Sequence, residues 1–187
     1  MVSILSLWVP ILLSAVIVFL ASSILHMVLT YHRSDFSRLA KEEEVLEAFR
    51  RAGVTPGDYI APHAGSPAAM KDPDFVARVT RGPVLIMTVA PGGPPSMAAN
   101  LAAWFLYSVI VSLFAGYIAS RALTPGANYL DVFRFVGTSA FMGYSLALLQ
   151  NSIWYKRAWS TTLKSVFDGL FYALLTAGTF GWLWPPV

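Results

Sequence analysis

MVSILSLWVPILLSAVIVFLASSILHMVL (1–29) runs through 29 residues without one Lys, Arg, Asp or Glu. About 20 helical residues cross the hydrocarbon of a bilayer, so this stretch spans it with residues to spare and is expected to tilt or project. It lacks the basic start of a secretory leader, and its apolar run is about twice the usual length, so it is read as a retained span. Pro10, one to two turns in, is expected to kink it.

Working outward, the same reading applies to three more stretches, which places membrane helices at about 4–30, 97–121, 129–152 and 161–184. Ser96 is placed to cap the second and Ser160, Thr161 and Thr162 the fourth, while Pro185-Pro186 ends it. The fold class expected is an all-α membrane protein, a four-transmembrane-helix bundle. A single membrane domain (1–187) carries one polar insert (34–96) as a small cap between its first two helices.

Composition agrees. Of 187 residues, 56% are hydrophobic and 12% charged, with a mean hydropathy of +0.60. A soluble domain carries about 25% charged residues, so much of this surface faces something other than water. Of the 23 charged residues, 16 lie between Arg33 and Arg81. The sequence pI of about 9.3 finds no basic helix or aromatic-basic motif to go with it, so nucleic acid is not an expected partner. The chain has no cysteine, which excludes disulfides, thiolate metal sites and cysteine nucleophiles.

Orientation follows from Lys and Arg. Eight of them (Arg33, Arg38, Lys41, Arg50, Arg51, Lys71, Arg78 and Arg81) follow the first span, and Lys156, Arg157 and Lys164 join the third to the fourth. Arg121 and Arg134 alone are on the other side. This bias predicts a multi-pass protein with both termini outside, on the periplasmic side if the membrane is a bacterial inner membrane, and the insert in the cytoplasm. Aromatic belts fit, with Trp8, Tyr129, Trp182 and Trp184 at the outer interface and Tyr31, Trp104, Trp154, Tyr155 and Trp159 at the inner one.

Within the insert, KEEEVLEAFRRAG (41–53) reads as an amphipathic helix ending at Gly53. PGDYIAPHAGSP reads as loop, DPDFVARV (72–79) as a short helix and PVLIMTVA (83–90) as a strand-like run. So few apolar positions bury little core, and the insert is expected to lie as a cap on the inner face.

Small residues recur at every fourth position of two spans: Ser108, Ser112, Gly116 and Ser120, then Gly169, Ala173, Ala177 and Gly181. Lipid gives helices no hydrophobic reason to associate, so close approach between small residues must do it. The stripes are read as packing interfaces, either with each other or with a partner. Lys164 and Asp168, one turn apart, are expected to form an intramembrane polar pair, Asp168 lying about 10 Å inside the helix start. That pair is read first as a structural clamp and second as a waypoint for a proton or cation. His26 is the only histidine within a span. On a continuous helix His32 falls about 240° around from it, so no shared metal site is expected. His26 is a candidate axial ligand for haem or chlorin, though a bond to a neighbouring helix is preferred. APGGPPSM (90–97) lacks the pattern of a phosphate loop, and no nucleophile elbow, zincin motif or intramembrane acid pair is present. No catalytic residue, metal or cofactor is therefore expected, and the chain is not read as an enzyme.

NSIWYKRAWSTTLKSVFDGLFYALLTAGTFGWLWP (151–185) resembles the last third of small uncharacterised bacterial membrane proteins. These have four helices and an aromatic-rich WY…W segment after a span, and HMVLTYHRSDF stands where they carry a related element. The likeness covers about a third of the chain and implies a four-helix fold, but the long insert departs from it. It brings no functional residues. The expected function is a non-catalytic accessory subunit of a larger inner-membrane complex, respiratory or photosynthetic in type, whose partners are other membrane subunits and lipids. The alternative is a small homo-oligomeric transporter or channel using Asp168, Lys164 and His26.

Overall fold

The computed structural model describes every residue, Met1–Val187. The chain divides into two compact units, Met1–Phe36 with Ser96–Val187, and Ser37–Pro95.

The first unit is helical. A 3₁₀ turn, Ile4–Leu7, leads into α1 (Trp8–Ser23), which continues as a π turn, Ile24–Val28. Pro10 falls in the first turn of α1, where its missing N–H costs no helical bond, and it is buried there. α4 (Met97–Ala122) is capped by Ser96, whose hydroxyl accepts from the Ala99 amide, as its sequence position implied. α5 (Tyr129–Tyr144) starts on Asn128, whose side chain accepts from the Asp131 amide. It then breaks through a 3₁₀ turn at Leu146–Leu148 into α6 (Leu149–Ile153). α7 runs from Trp159 to Trp182. No side chain caps it, contrary to the expected role of Ser160, Thr161 and Thr162. Thr162 instead turns inward and accepts from the Ser152 hydroxyl at 2.8 Å.

Three helical stretches, Ile4–Val28, Met97–Ala122 and Tyr129–Ile153, are long and apolar enough to cross a membrane. α7 is comparable in length but less apolar, because it carries Lys164, Asp168 and several threonines. α5 packs along α7, α1 along α4 and α7, and α4 along α5.

Both small-residue stripes are used inside this unit. A Cβ at Gly116 would lie 2.8 Å from the ring of Phe180, with Leu7 beside it, and Ser112 meets Ser14 of α1 through a 3.0 Å hydroxyl bond. Ser108 and Ser120 are fully buried with them. On α7, Ala177 faces Gly137 of α5, where a Cβ would meet it at 3.1 Å, and Gly169 lies against Tyr144 and Ser145. Ala173 is buried, and the Tyr129 ring covers Gly181 at 2.7 Å from an added Cβ. The first stripe thus meets α1, α5 and α7, and the second packs on α5. Of the aromatics placed in belts, Trp8, Trp154, Trp159 and Trp182 are exposed. Trp104 and Trp184 instead turn inward, where their indole N–H groups donate to Ser22 Oγ and the Thr124 carbonyl.

The second unit buries no residue fully. α2 (Glu42–Arg51) has three glutamates in its first turn and two arginines in its last, favourable at both ends of the helix dipole. α3 (Pro73–Arg81) has Asp72 as N-cap and proline at its first position. β1 (Gly57–Ala61) pairs antiparallel with β2 (Leu85–Val89), Tyr59 opposite Met87. The strand-like run therefore has a partner in a segment whose Gly, Asp and Pro made it read as loop.

Candidate functional site

The site begins where α1 stops. In the π turn the Leu29 amide donates to the Ile24 carbonyl at 3.2 Å, and Leu29 then turns to extended backbone, φ −77° and ψ 141°. After Thr30 the chain hooks back in a 3₁₀ turn, Tyr31–Ser34, closed by the Arg33 amide on Thr30 O and the Asp35 amide on His32 O, both 3.0 Å. This hook is what overturns the expected separation of the two histidines. Their angular offset assumed one continuous helix. With that helix broken at Leu29, the His26 and His32 rings stack at 4.4 Å between centroids.

α7 supplies the opposite wall. Lys164, Asp168 and Tyr172 recur at four-residue spacing and so share one face. Lys164 and Asp168 were expected to pair with each other, and each instead takes partners from the hook. Lys164 Nζ donates to the Tyr31 carbonyl (2.6 Å), Ser34 Oγ (2.8 Å) and Asp35 Oδ1 (2.9 Å). Asp168 accepts from the Tyr31 hydroxyl on one oxygen, and its other oxygen lies 2.8 Å from His32 Nε2. The second nitrogen of His32, Nδ1, lies 2.7 Å from Asp35 Oδ2. Tyr172 Oη stands 3.5 Å from His26 Nε2. The long Lys164 stem reaches past the helix end while the short Asp168 stem stays inside, and this difference in reach splits the expected pair.

The result is one unbroken polar chain, Lys164–Asp35–His32–Asp168–Tyr31. Asp168 is 3% exposed and lies about 14 Å along α7 from Trp159 at 1.5 Å per residue. A carboxylate so placed is costly unless it is bonded on both oxygens, as here. Burial alone would raise the Asp35 carboxyl, but the bonds from His32 and Lys164 and their charges outweigh it and hold it below its ordinary value. Burial, then the bond to Asp168, pushes the Tyr31 hydroxyl up. Ser34, Asp35 and Tyr172 were not singled out in the sequence, and Tyr31 only as an inner-interface aromatic. The signal available was the density of polar groups in TYHRSD (30–35), directly after an apolar span.

Behind Tyr172 the unit's interior is lined by hydroxyls. Tyr172 and Tyr144 pack edge-on at 5.7 Å, with Trp104 against both. The Tyr144 hydroxyl is buried and lacks a hydrogen-bond partner, although Ser108, Ser112 and Thr176 surround it. Ser112 continues the line to Ser14.

His26, His32 and Asp168 each bring one donor atom to within 4.8 Å of the others. The set could hold a metal ion, since the broken helix brings together two histidines that a continuous one keeps apart. His63 lies exposed in the second unit. No protein-family model, no curated protein and no solved structure matches the chain.

Proposed function

We propose that this chain is a four-span inner-membrane protein, both termini outside, that works as a small transporter of a cation bound at Asp168. The observation that carries this reading is a buried carboxylate deep in a helix, gripped by an imidazole and a phenol and linked to solvent through Asp35 and Lys164. An ionisable group kept inside a membrane segment has a cost in stability that packing alone does not explain, and such groups mark ion and proton routes. The hydroxyls from Tyr172 past Tyr144 to Ser112 and Ser14 support a polar path further along the bundle. α7 counts as the fourth span because its 24 residues reach about 36 Å, and its polar groups face inward.

The accessory-subunit reading drew on the small-residue stripes, the missing catalytic set and an insert too small to act alone; the stripes pack within the chain, and the transport reading is preferred on the strength of the buried carboxylate. Lipids are the expected surroundings. The test is ion flux into vesicles holding the purified full chain, with Asp168→Asn as the comparison. Flux well above empty vesicles, lost in Asp168→Asn while the variant stays folded, is expected. A wild-type protein that moves no proton or metal ion refutes the proposal, as does flux unchanged by the substitution.

A further inference from the structure

We infer that the cation held here is a divalent transition-metal ion of the zinc and ferrous class, bound by His26, His32 and Asp168. The inference rests on the transport reading for its role and on the site's own geometry for its chemistry.

The donor set comes first. Two imidazoles and one carboxylate suit borderline divalent ions. Calcium and magnesium prefer oxygen alone, and cuprous ion prefers the sulfur ligands missing here. Three protein ligands leave a fourth position open, as in zinc sites that exchange water or substrate rather than in closed structural ones.

The outer partners are the stronger argument. A metal-bound histidine characteristically gives its other ring nitrogen to a carboxylate, which fixes ring orientation and tautomer, and ligating carboxylates are themselves hydrogen-bonded. His32 already has this arrangement. Nδ1 is tied to Asp35 at 2.7 Å, Asp35 is anchored by Lys164 at 2.9 Å, and Nε2 is left aimed at Asp168. The Tyr31 hydroxyl holds the Asp168 oxygen that Nε2 does not use. An ion pair built only for stability needs no second imidazole stacked against the first.

The dimensions also fit. Metal–nitrogen and metal–oxygen distances near 2.1 Å put tetrahedral ligand atoms about 3.4 Å apart. His32 Nε2 and Asp168 Oδ2 stand at 2.8 Å and the whole set within 4.8 Å, so binding asks for small adjustments. His26 is exposed on the π turn and free to make its share. The ion takes the place of the proton between His32 Nε2 and Asp168, which leaves to solvent.

The test uses tag-free full chain in detergent, loaded with Co²⁺ or Zn²⁺ and dialysed against excess Mg²⁺. One equivalent retained per chain, with the visible bands of low-coordinate cobalt, is expected. His26→Gln is the decisive variant, because its side chain is exposed and takes none of the bonds of the Lys164–Asp35–His32–Asp168–Tyr31 chain. It is expected to weaken binding at least tenfold with the helical circular dichroism unchanged. Asp35→Asn, which acts through His32, is expected to weaken binding about 10–100-fold. No retained metal, or equal retention by His26→Gln, overturns the inference. Metal retained without flux leaves the site standing and removes the transport reading. Proton flux without retained metal does the reverse.

Discussion

Lys164→Met removes the ammonium that ties α7 to the hook while keeping most of the apolar stem. Three bonds go at once, to the Tyr31 carbonyl, Ser34 Oγ and Asp35 Oδ1. Asp35 keeps His32 but loses its full countercharge, at a side chain only 8% exposed. Removing one partner of a fully buried ion pair costs about 3–5 kcal/mol. Lys164 is 24% exposed, so water recovers part of that, and a loss of about 2–3 kcal/mol is expected after screening. For a chain of this size each kcal/mol moves the midpoint about 2–4 °C, so the thermal transition in detergent should fall about 4–12 °C. Asp35→Asn in the same background removes the stranded carboxylate, and the double variant is expected to recover about 1–2 kcal/mol relative to strict additivity. An unchanged midpoint for Lys164→Met, or purely additive losses in the double variant, would show that the clamp is a surface contact and remove the basis for a preorganised site.

Gly116→Val places a branched side chain where a Cβ already stands 2.8 Å from the Phe180 ring, and an overpacking loss of about 1–3 kcal/mol is expected in a denaturation titration; Phe180→Leu in the same chain should return part of it. Ser14→Ala removes the 3.0 Å hydroxyl bond to Ser112 and should cost only about 0.6 kcal/mol by the same titration, as interhelical hydroxyl bonds in membranes do. Tyr144→Phe deletes a buried hydroxyl that has no partner, so stability should stay level or rise by up to about 1 kcal/mol. In vesicles the same variant should slow flux, because it removes a polar group from the proposed path.

The three helical stretches long and apolar enough to cross a membrane were legible because lipid imposes long apolar runs that few other structures need, and the two stripes were legible because a four-residue period fixes a helix face. The site was not. His26 and His32 meet only because the chain breaks at Leu29, in LHMVLTYH, a stretch with no proline or glycine to announce it. The break is held by Lys164, 133 residues away from Tyr31 in sequence, and a local reading has no access to such a bond. The Lys164–Asp168 pairing failed for a related reason: helical neighbours one turn apart pair by default, but a better set of partners arrived from another element. β1 was missed because a hairpin closed over 23 intervening residues (62–84) is specified by its partner strand, and Gly57, Asp58 and Pro62 argue locally for a turn.

The Phe180 ring is fully buried and lies close against Gly116. On the transport reading, passage by that end would call for α7 to glide as a rigid rod, a shear of the kind packed helices permit. Its contact with α5 sets Gly137 against Ala177 but also Tyr144 and Ser145 against Gly169 and the Tyr129 ring against Gly181, so such gliding would have to carry past those side chains. Fastening that contact with a short cross-link between cysteines placed at 137 and 177 should therefore halt passage while loading at Asp168 continues.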